Sequence, residues 1–268
     1  MATRNVWTWD ETLAAFALYL LIPTGQHDKN NKDVVALANS LGRTPDAVVL
    51  KLGNIKANDP MRRGKGLTHG SKKDAEIWED FSQRGNELVS EAVQCLETTL
   101  HDAKSESSAL DAVTVDLPEG KNRMVIATTR VNQRYFRNSL LENYDHHCCF
   151  TGLGMDQLLN ASHIKPWNAS DTFEKVSPAN GLLLNALHDR AFDKGLMTIS
   201  LDYRIIVSPK VPKNGAYGDL LWRYDGLEMH IPKRAKPEQR FIEYHQLGVR
   251  ACPERSVGNR QSKLSTFT

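Results

Sequence analysis

Three polar side chains of catalytic type lie close together in the chain: His163, Asn180 and His188. An imidazole with a pKa of about 6.5 is mostly neutral at cellular pH, so it can accept a proton from water. A second imidazole can bind a metal ion, and an amide can hold a histidine ring in one orientation. Metal-assisted cleavage of a phosphodiester needs a base, an orienting group and a metal ligand. The three residue types therefore predict hydrolysis, with His163 as the general base.

The segments around these residues predict two short strands and a helix. Residues 149–152 are expected to form a strand that ends in a turn, followed by a loop that leads to His163. Residues 182–184 predict a short buried strand, and Asn185 is expected to cap a helix that carries His188. Strand, loop, strand and helix in this order would bring the two histidines to facing elements around one cavity, as in a ββα-metal core.

The chain before this region predicts helices. A capping-box pattern and an apolar stretch indicate a helix over residues 8–22. Further helices are predicted over 31–41, from 45 to 52 with Thr44 as the N-cap, over 72–97 and over 131–143. The helices over 31–41 and 45–52, joined by a short turn, resemble a helix-turn-helix, whose later helix enters the major groove of DNA.

Residues 51–73 are basic, and Asp59 is their only acidic residue. Lysine and arginine beside phosphates supply affinity and salt dependence rather than sequence choice. A solvated loop without a partner is the alternative. The side chains expected to contact DNA are Arg43, Lys51, Arg62, Arg63, Lys65, Lys72 and Lys165.

Bulk properties exclude several classes of protein. The net charge of the 268-residue chain is +2, so any affinity for nucleic acid must be local. The four cysteines form no C-x-x-C pair, which favours reduced thiols and a cytoplasmic location. The apolar run over residues 13–22 is too short to cross a membrane. The chain has neither a P-loop nor a G-x-S-x-G nucleophile motif.

Composition divides the chain into four parts. The expected division is a helical DNA-recognition domain over residues 1–100, a linker over 101–122, a catalytic domain over 123–252 and a flexible tail over 253–268. The linker is placed where Ser-Glu-Ser-Ser and Pro-Glu-Gly interrupt the helical pattern. The expected fold class is α+β.

Five segments carry a pattern known from other proteins: RVNQRYFR at 130–137, CCFTG at 148–152, SHIKPW at 162–167, NGL at 180–182 and HDRAFDKG at 188–195. With these segments, residues from about 124 to 210 resemble the HNH endonuclease family, in the branch associated with restriction enzymes. The N-terminal part looks like the helical domain that precedes such modules in restriction endonucleases.

This resemblance implies a ββα-metal domain that cleaves double-stranded DNA. His163 would be the general base, and Asn180 would order both the loop and the base. His188 would bind a hard divalent ion, Mg²⁺ in the first place and Mn²⁺ as the alternative.

One position departs from the family pattern. The family often has Asp or His as a metal ligand just before the base, and this chain has Ser162 there. Asp193 is expected to supply the oxygen ligand that Ser162 does not provide, and Asp189 is a second candidate. The alternative for Asp193 is a structural role at the end of a helix. Arg190 is expected to clamp the scissile phosphate or the leaving group.

The leading hypothesis is a metal-dependent DNA endonuclease that acts as a restriction enzyme. Cutting both strands with one metal site per chain needs two copies, so a homodimer is expected. Two alternatives stay open. One is a DNA-binding protein whose nuclease site is degenerate, as the serine before the base suggests. The other is a non-specific nuclease controlled by an N-terminal sensor domain.

Overall fold

The computed structural model describes residues 6–61, 72–117, 122–232 and 234–251. None of the helices in these ranges is both long and apolar enough to cross a membrane. The helices of the first part are α1 Trp9–Leu21, α2 Lys32–Ser40, α3 Pro45–Ala57, α4 Lys72–Arg84, α5 Asn86–Asp102, α6 Ser108–Thr114 and α7 Asn122–Asn143.

The helix starts predicted from capping patterns are confirmed. At the start of α1 the Thr8 hydroxyl accepts from the Glu11 amide at 3.2 Å, and the Glu11 carboxylate accepts from the Thr8 amide at 2.8 Å. Thr44 caps α3 as predicted, and Asn31 caps α2, for which the sequence had indicated no capping residue. Each cap satisfies amide groups that the first helical turn leaves without a partner.

Three predictions in the helical part need correction. Residues 72–97 form two helices rather than one, because Gly85 adopts a φ of +51° between α4 and α5. The helix expected over 131–143 begins at Asn122. The segment expected to be a linker contains α6, whose start is fixed by Asp33: its carboxylate accepts from the Ser107 hydroxyl at 2.8 Å and from the Ala109 amide at 3.1 Å. The tail over 253–268 lies outside the described residues.

The second part of the chain builds a ββα unit. Strands β1 Leu159–His163 and β2 Gly181–Asn185 pair antiparallel, with His163 opposite Gly181. Helix α9 Ala186–Asp193 follows β2 directly and is capped by the Asn185 side chain, as predicted. The remaining elements are α8 Thr172–Val176, the antiparallel pair β3 Met197–Ile199 and β4 Ile205–Val207, α10 Ala216–Leu220 and α11 Gln239–Ala251.

The α+β fold class is therefore confirmed, but the first strand is not where the sequence indicated. Residues 149–152 form a turn, in which Gly152 has a φ of +73° and its amide donates to the Cys148 carbonyl at 2.8 Å. The strand lies instead at β1, in the segment expected to be a loop.

Helix α7 belongs to two hydrophobic cores. Its residues Val131 and Tyr135 pack with α1, α3, α4 and α5, whereas Phe136 and Leu140 pack with the ββα unit. The hydroxyl groups of Tyr19 and Tyr135 each donate to the buried Asp59 carboxylate at 2.6 Å. One helix thus supports both halves of the molecule, and the proposed domain boundaries stay a prediction.

The contact between α7 and β2 requires a glycine. A Cβ atom at Gly181 would lie 2.6 Å from Phe136 Cζ and 2.7 Å from Leu140 Cδ1. Both distances are well inside van der Waals contact, so any larger residue would push α7 away from the sheet.

Gly181→Ala is expected to lower the free energy of unfolding by about 1–3 kcal/mol, because the added methyl group overpacks this contact. Urea denaturation measures the loss. Gly218→Ala is the control, since a Cβ there meets nothing within 4 Å. Equal losses in the two variants would contradict the close packing of α7 on β2.

Candidate active site

A cavity of about 540 Å³ opens where α7, β1 and α9 approach one another. It brings His163 together with Asp189 and Asp193, the two carboxylates among the described residues that line it. Its lining consists of Gln133, Phe136, Arg137, Asn160, Ala161, Ser162, His163, Ile164, Pro166, Trp167, Asp189, Asp193 and His245.

His163 is held firmly at the end of β1. Its ring stacks on Phe136 with centroids 3.8 Å apart and meets the edge of Trp167 at 5.5 Å. Its Nε2 lies 2.9 Å from the carbonyl oxygen of Lys175. A carbonyl can only accept, so we assign the hydrogen to Nε2, which leaves the lone pair of the neutral ring on Nδ1. Burial lowers the pKa of His163 below its usual value, although the Lys175 carbonyl opposes this. The ring therefore has the form that a general base needs.

Asn180 fixes the loop that holds this histidine. Its side chain is fully buried; Oδ1 accepts from the Lys165 amide at 2.8 Å. Its Nδ2 donates to the carbonyl groups of Lys165 at 3.2 Å and Glu174 at 3.1 Å. The neighbouring Lys175 carbonyl is the one that binds His163. Asn180 thus acts through the backbone of the loop and does not line the cavity.

His188 is not brought to the cavity. It is buried, its Nδ1 lies 2.9 Å from the Asn185 side-chain nitrogen, and its Nε2 lies 3.0 Å from the carbonyl oxygen of Leu220. Burial alone would raise the pKa of Cys148, but a side-chain hydrogen bond with His188 helps to lower it to about 7. Both ring nitrogens are therefore engaged within the protein, and this geometry does not support the predicted role of His188 as a metal ligand.

The rotation of α9 explains why His188 lies away from the cavity. Residues four apart lie on one face of a helix. His188 and Phe192 share the face that packs into the core, whereas Asp189 and Asp193 share the face that lines the cavity. The second candidate from the sequence, Asp189, therefore joins Asp193.

The two carboxylates have the chemistry of a site for a hard divalent cation. Burial raises the pKa of Asp193, and the nearby charge of Asp189 adds to the effect. The side-chain amide of Asn160 donates to Asp189 at 2.8 Å. The buried Ser162 hydroxyl also lines this cavity and has no hydrogen-bond partner among the residues that the structure describes. A cation would relieve the repulsion between the carboxylates.

The protein supplies few ligands here. Within the described ranges, no three residues of the types His, Cys, Asp and Glu are arranged to hold a metal ion.

Several basic residues predicted to contact DNA have partners within the protein. Arg43 pairs with Glu11 at 2.8 Å, and Lys165 pairs with Glu174 at 2.5 Å. Lys51 is buried in an ion pair with Asp74, so it cannot reach a phosphate, and we leave it out of the proposed DNA surface.

The remaining basic residues that were predicted to contact DNA or the phosphate differ in their placement. Lys72 is exposed and lies 3.2 Å from Glu76 on the same helix. Arg190 is exposed, but it is not among the residues that line the cavity, so it gains no support as a phosphate clamp. Arg62, Arg63 and Lys65 lie outside the described residues.

Sequence reasoning assigned no role to Asn160 or His245. Asn160 fell in the segment expected to be a loop, and recognising β1 as a strand would have drawn attention to it. His245 stacks on Phe192 with centroids 3.8 Å apart, and burial lowers its pKa to about 4. Its Nδ1 lies 2.9 Å from the Thr198 hydroxyl. Nothing in the sequence links this residue of α11 to the cavity.

The segment of the chain that builds the centre of this site matches a known protein family. Residues 148–200, which include β1, β2 and α9, match the family model described as HNH endonuclease. The chain contains an HNH endonuclease domain. Nuclease activity follows from this assignment, and HNH nucleases typically use a divalent metal. A search of curated proteins finds no match to the chain.

Asn180→Ala is expected to lower the free energy of unfolding of the HNH domain by about 3 kcal/mol, because the Lys165 amide and the Glu174 carbonyl lose the hydrogen bonds that Asn180 makes to them. Urea denaturation measures the effect. Asn168→Ala is the matched control at an exposed position of the same loop, with an expected change within about 0.5 kcal/mol. If both variants unfold like the wild type, Asn180 does not clamp the loop.

Proposed function

We propose that this protein is a metal-dependent DNA endonuclease in which His163 is the general base. The observation that carries the proposal is the orientation of the His163 ring. Its Nε2 is committed to the Lys175 carbonyl, and the ring lines a cavity that also contains the carboxylates of Asp189 and Asp193. A base and a pair of cation-binding groups within one cavity are the elements of phosphodiester hydrolysis.

In this mechanism the Nδ1 lone pair of His163 takes a proton from the attacking water. The Lys175 carbonyl stabilises the resulting imidazolium through its hydrogen bond to Nε2–H. Phe136 and Trp167 hold the ring in place while its charge changes. Asp189 and Asp193 would hold the cation, with Asp189 oriented by the side-chain amide of Asn160. When bound, Mg²⁺ or Mn²⁺ supplies charge stabilisation to the phosphate and the leaving oxygen.

We further propose that the chain is a cytoplasmic restriction enzyme that cleaves foreign double-stranded DNA as a homodimer. A separate helical core in front of the nuclease unit supports this reading, because it can deliver the HNH domain to DNA. The exposed residues of α3 include Asp46 and Leu50, which is not the basic face of a typical recognition helix. We therefore expect phosphate contacts of this part from Lys72 and the basic segment before it, rather than from α3.

His163→Ala is expected to reduce nicking of supercoiled plasmid in Mg²⁺ by at least about 100-fold, because a general base contributes a factor of this order. Gel electrophoresis of the plasmid over time measures the rate. His101→Ala is the control, since this histidine is exposed on α5 and far in sequence from the site; its rate should equal that of the wild type.

The same assay separates the alternative functions. A wild type that nicks DNA in neither Mg²⁺ nor Mn²⁺, yet binds duplex DNA, would support the degenerate site. A wild type that is active only after residues 1–100 are removed or given a ligand would support an N-terminal sensor. Nicking that persists in His163→Ala would exclude this residue as the base.

Asp193→Asn and Asp189→Asn are each expected to weaken Mn²⁺ binding by at least about tenfold, because each removes a charged oxygen ligand from the cavity. Isothermal titration calorimetry without DNA measures the affinity. Asp219→Asn, which alters an exposed carboxylate on α10, should leave the affinity unchanged. Unchanged affinity in both cavity variants would exclude α9 as the source of the ligands.

A further inference from the structure

We propose that Arg137 is the phosphate-binding group of the active site and grips the DNA backbone beside the scissile bond. This inference rests on the proposed nuclease function. Arg137 lies on α7 and lines the cavity that contains His163 and the two carboxylates. It comes from a different element than the cation-binding face of α9, so base, carboxylates and guanidinium reach the cavity from three separate elements.

The guanidinium of Arg137 is held in place by neutral groups. One terminal nitrogen donates to the Leu159 carbonyl at 2.6 Å, and the other donates to the Asp156 carbonyl at 2.8 Å. A guanidinium carries five N–H groups, so two contacts leave three for a ligand. Fixing the group before DNA arrives reduces the entropy lost when it binds a phosphate.

The positive charge of Arg137 is not neutralised by a carboxylate. Among the residues that the structure describes, no Asp or Glu forms an ion pair with it. Other cations near this part of the molecule differ, since both Lys165 and Arg240 pair with Glu174. A half-buried guanidinium bound only to carbonyl groups retains its full attraction for an anion.

The charge of the cavity itself calls for such a residue. Asp189 and Asp193 make the α9 side negative, and a phosphodiester entering beside them would be repelled. A bound divalent ion offsets part of this charge, and Arg137 supplies a fixed positive group on α7. This is the role that the sequence had suggested for Arg190, which is exposed outside the cavity.

A structural role is the competing explanation, because Arg137 also ties α7 to the start of β1. The chain offers a matched control for it. Arg130 lies two turns earlier on α7 and likewise donates to two carbonyl groups, those of Val113 at 3.3 Å and Val115 at 2.8 Å, but it does not line the cavity. A purely structural arginine should behave like Arg130 in every assay.

The test measures binding of a fluorescent DNA duplex by anisotropy, in Ca²⁺ and over a range of salt concentrations, next to thermal melting and plasmid nicking. Arg137→Gln is expected to weaken binding about tenfold and to reduce the slope of log affinity against log salt by about 1, because one phosphate contact is lost. Arg130→Gln should keep the affinity and slope of the wild type. Arg137→Lys, which retains the charge, should keep the slope even if its melting temperature falls.

The outcomes separate this inference from the proposed function. Nicking by the wild type together with an unchanged salt slope in Arg137→Gln would overturn the role of Arg137 and leave the nuclease assignment in place. A reduced slope in a protein that never nicks DNA would support Arg137 and overturn the nuclease assignment. Equal losses of affinity for DNA in Arg137→Gln and Arg130→Gln would show that Arg137 has a structural role and does not bind phosphate.

Discussion

The site depends on one hydrogen bond, from the Nε2 of His163 to the carbonyl oxygen of Lys175. It decides which nitrogen of the ring keeps a lone pair, and so which side of the ring can take a proton. The carbonyl has this position because the buried amide of Asn180 holds the backbone at Lys165 and Glu174. Asn180 does not line the cavity, yet it thus helps to set the tautomer of His163, which does.

Local signals in the sequence were sufficient for some elements and not for others. The caps of α1, α3 and α9 could be identified because a capping side chain acts on amides two or three residues away. The turn at 149–152 could not, since apolar residues before a glycine fit a strand and a tight turn equally well. Pairing of β1 with β2 depends on residues about twenty positions apart, which no local pattern encodes.

The site shows the same division. The motif in the sequence singled out His163 and Asn180 as candidates, but it gave no measure of the rotation of α9 about its axis. That rotation decides whether residue 188 or residue 189 reaches the cavity. Tertiary packing of Phe192 and of the His188 ring sets it, with Tyr224 against the latter at 5.0 Å. Likewise, nothing adjacent to Lys51 in sequence reveals that Asp74 would bury and neutralise it.

The sharing of α7 between two cores has a consequence for how this enzyme can be divided. An isolated catalytic fragment starting near residue 123 would retain Phe136 beneath the histidine ring, yet it would expose Val131 and Tyr135, which are buried against the preceding helices. Tyr135 would also lose Asp59 as its acceptor. The nuclease unit is therefore not expected to be stable alone. A fusion of this unit to another DNA-binding domain would need new apolar residues to pack against α7.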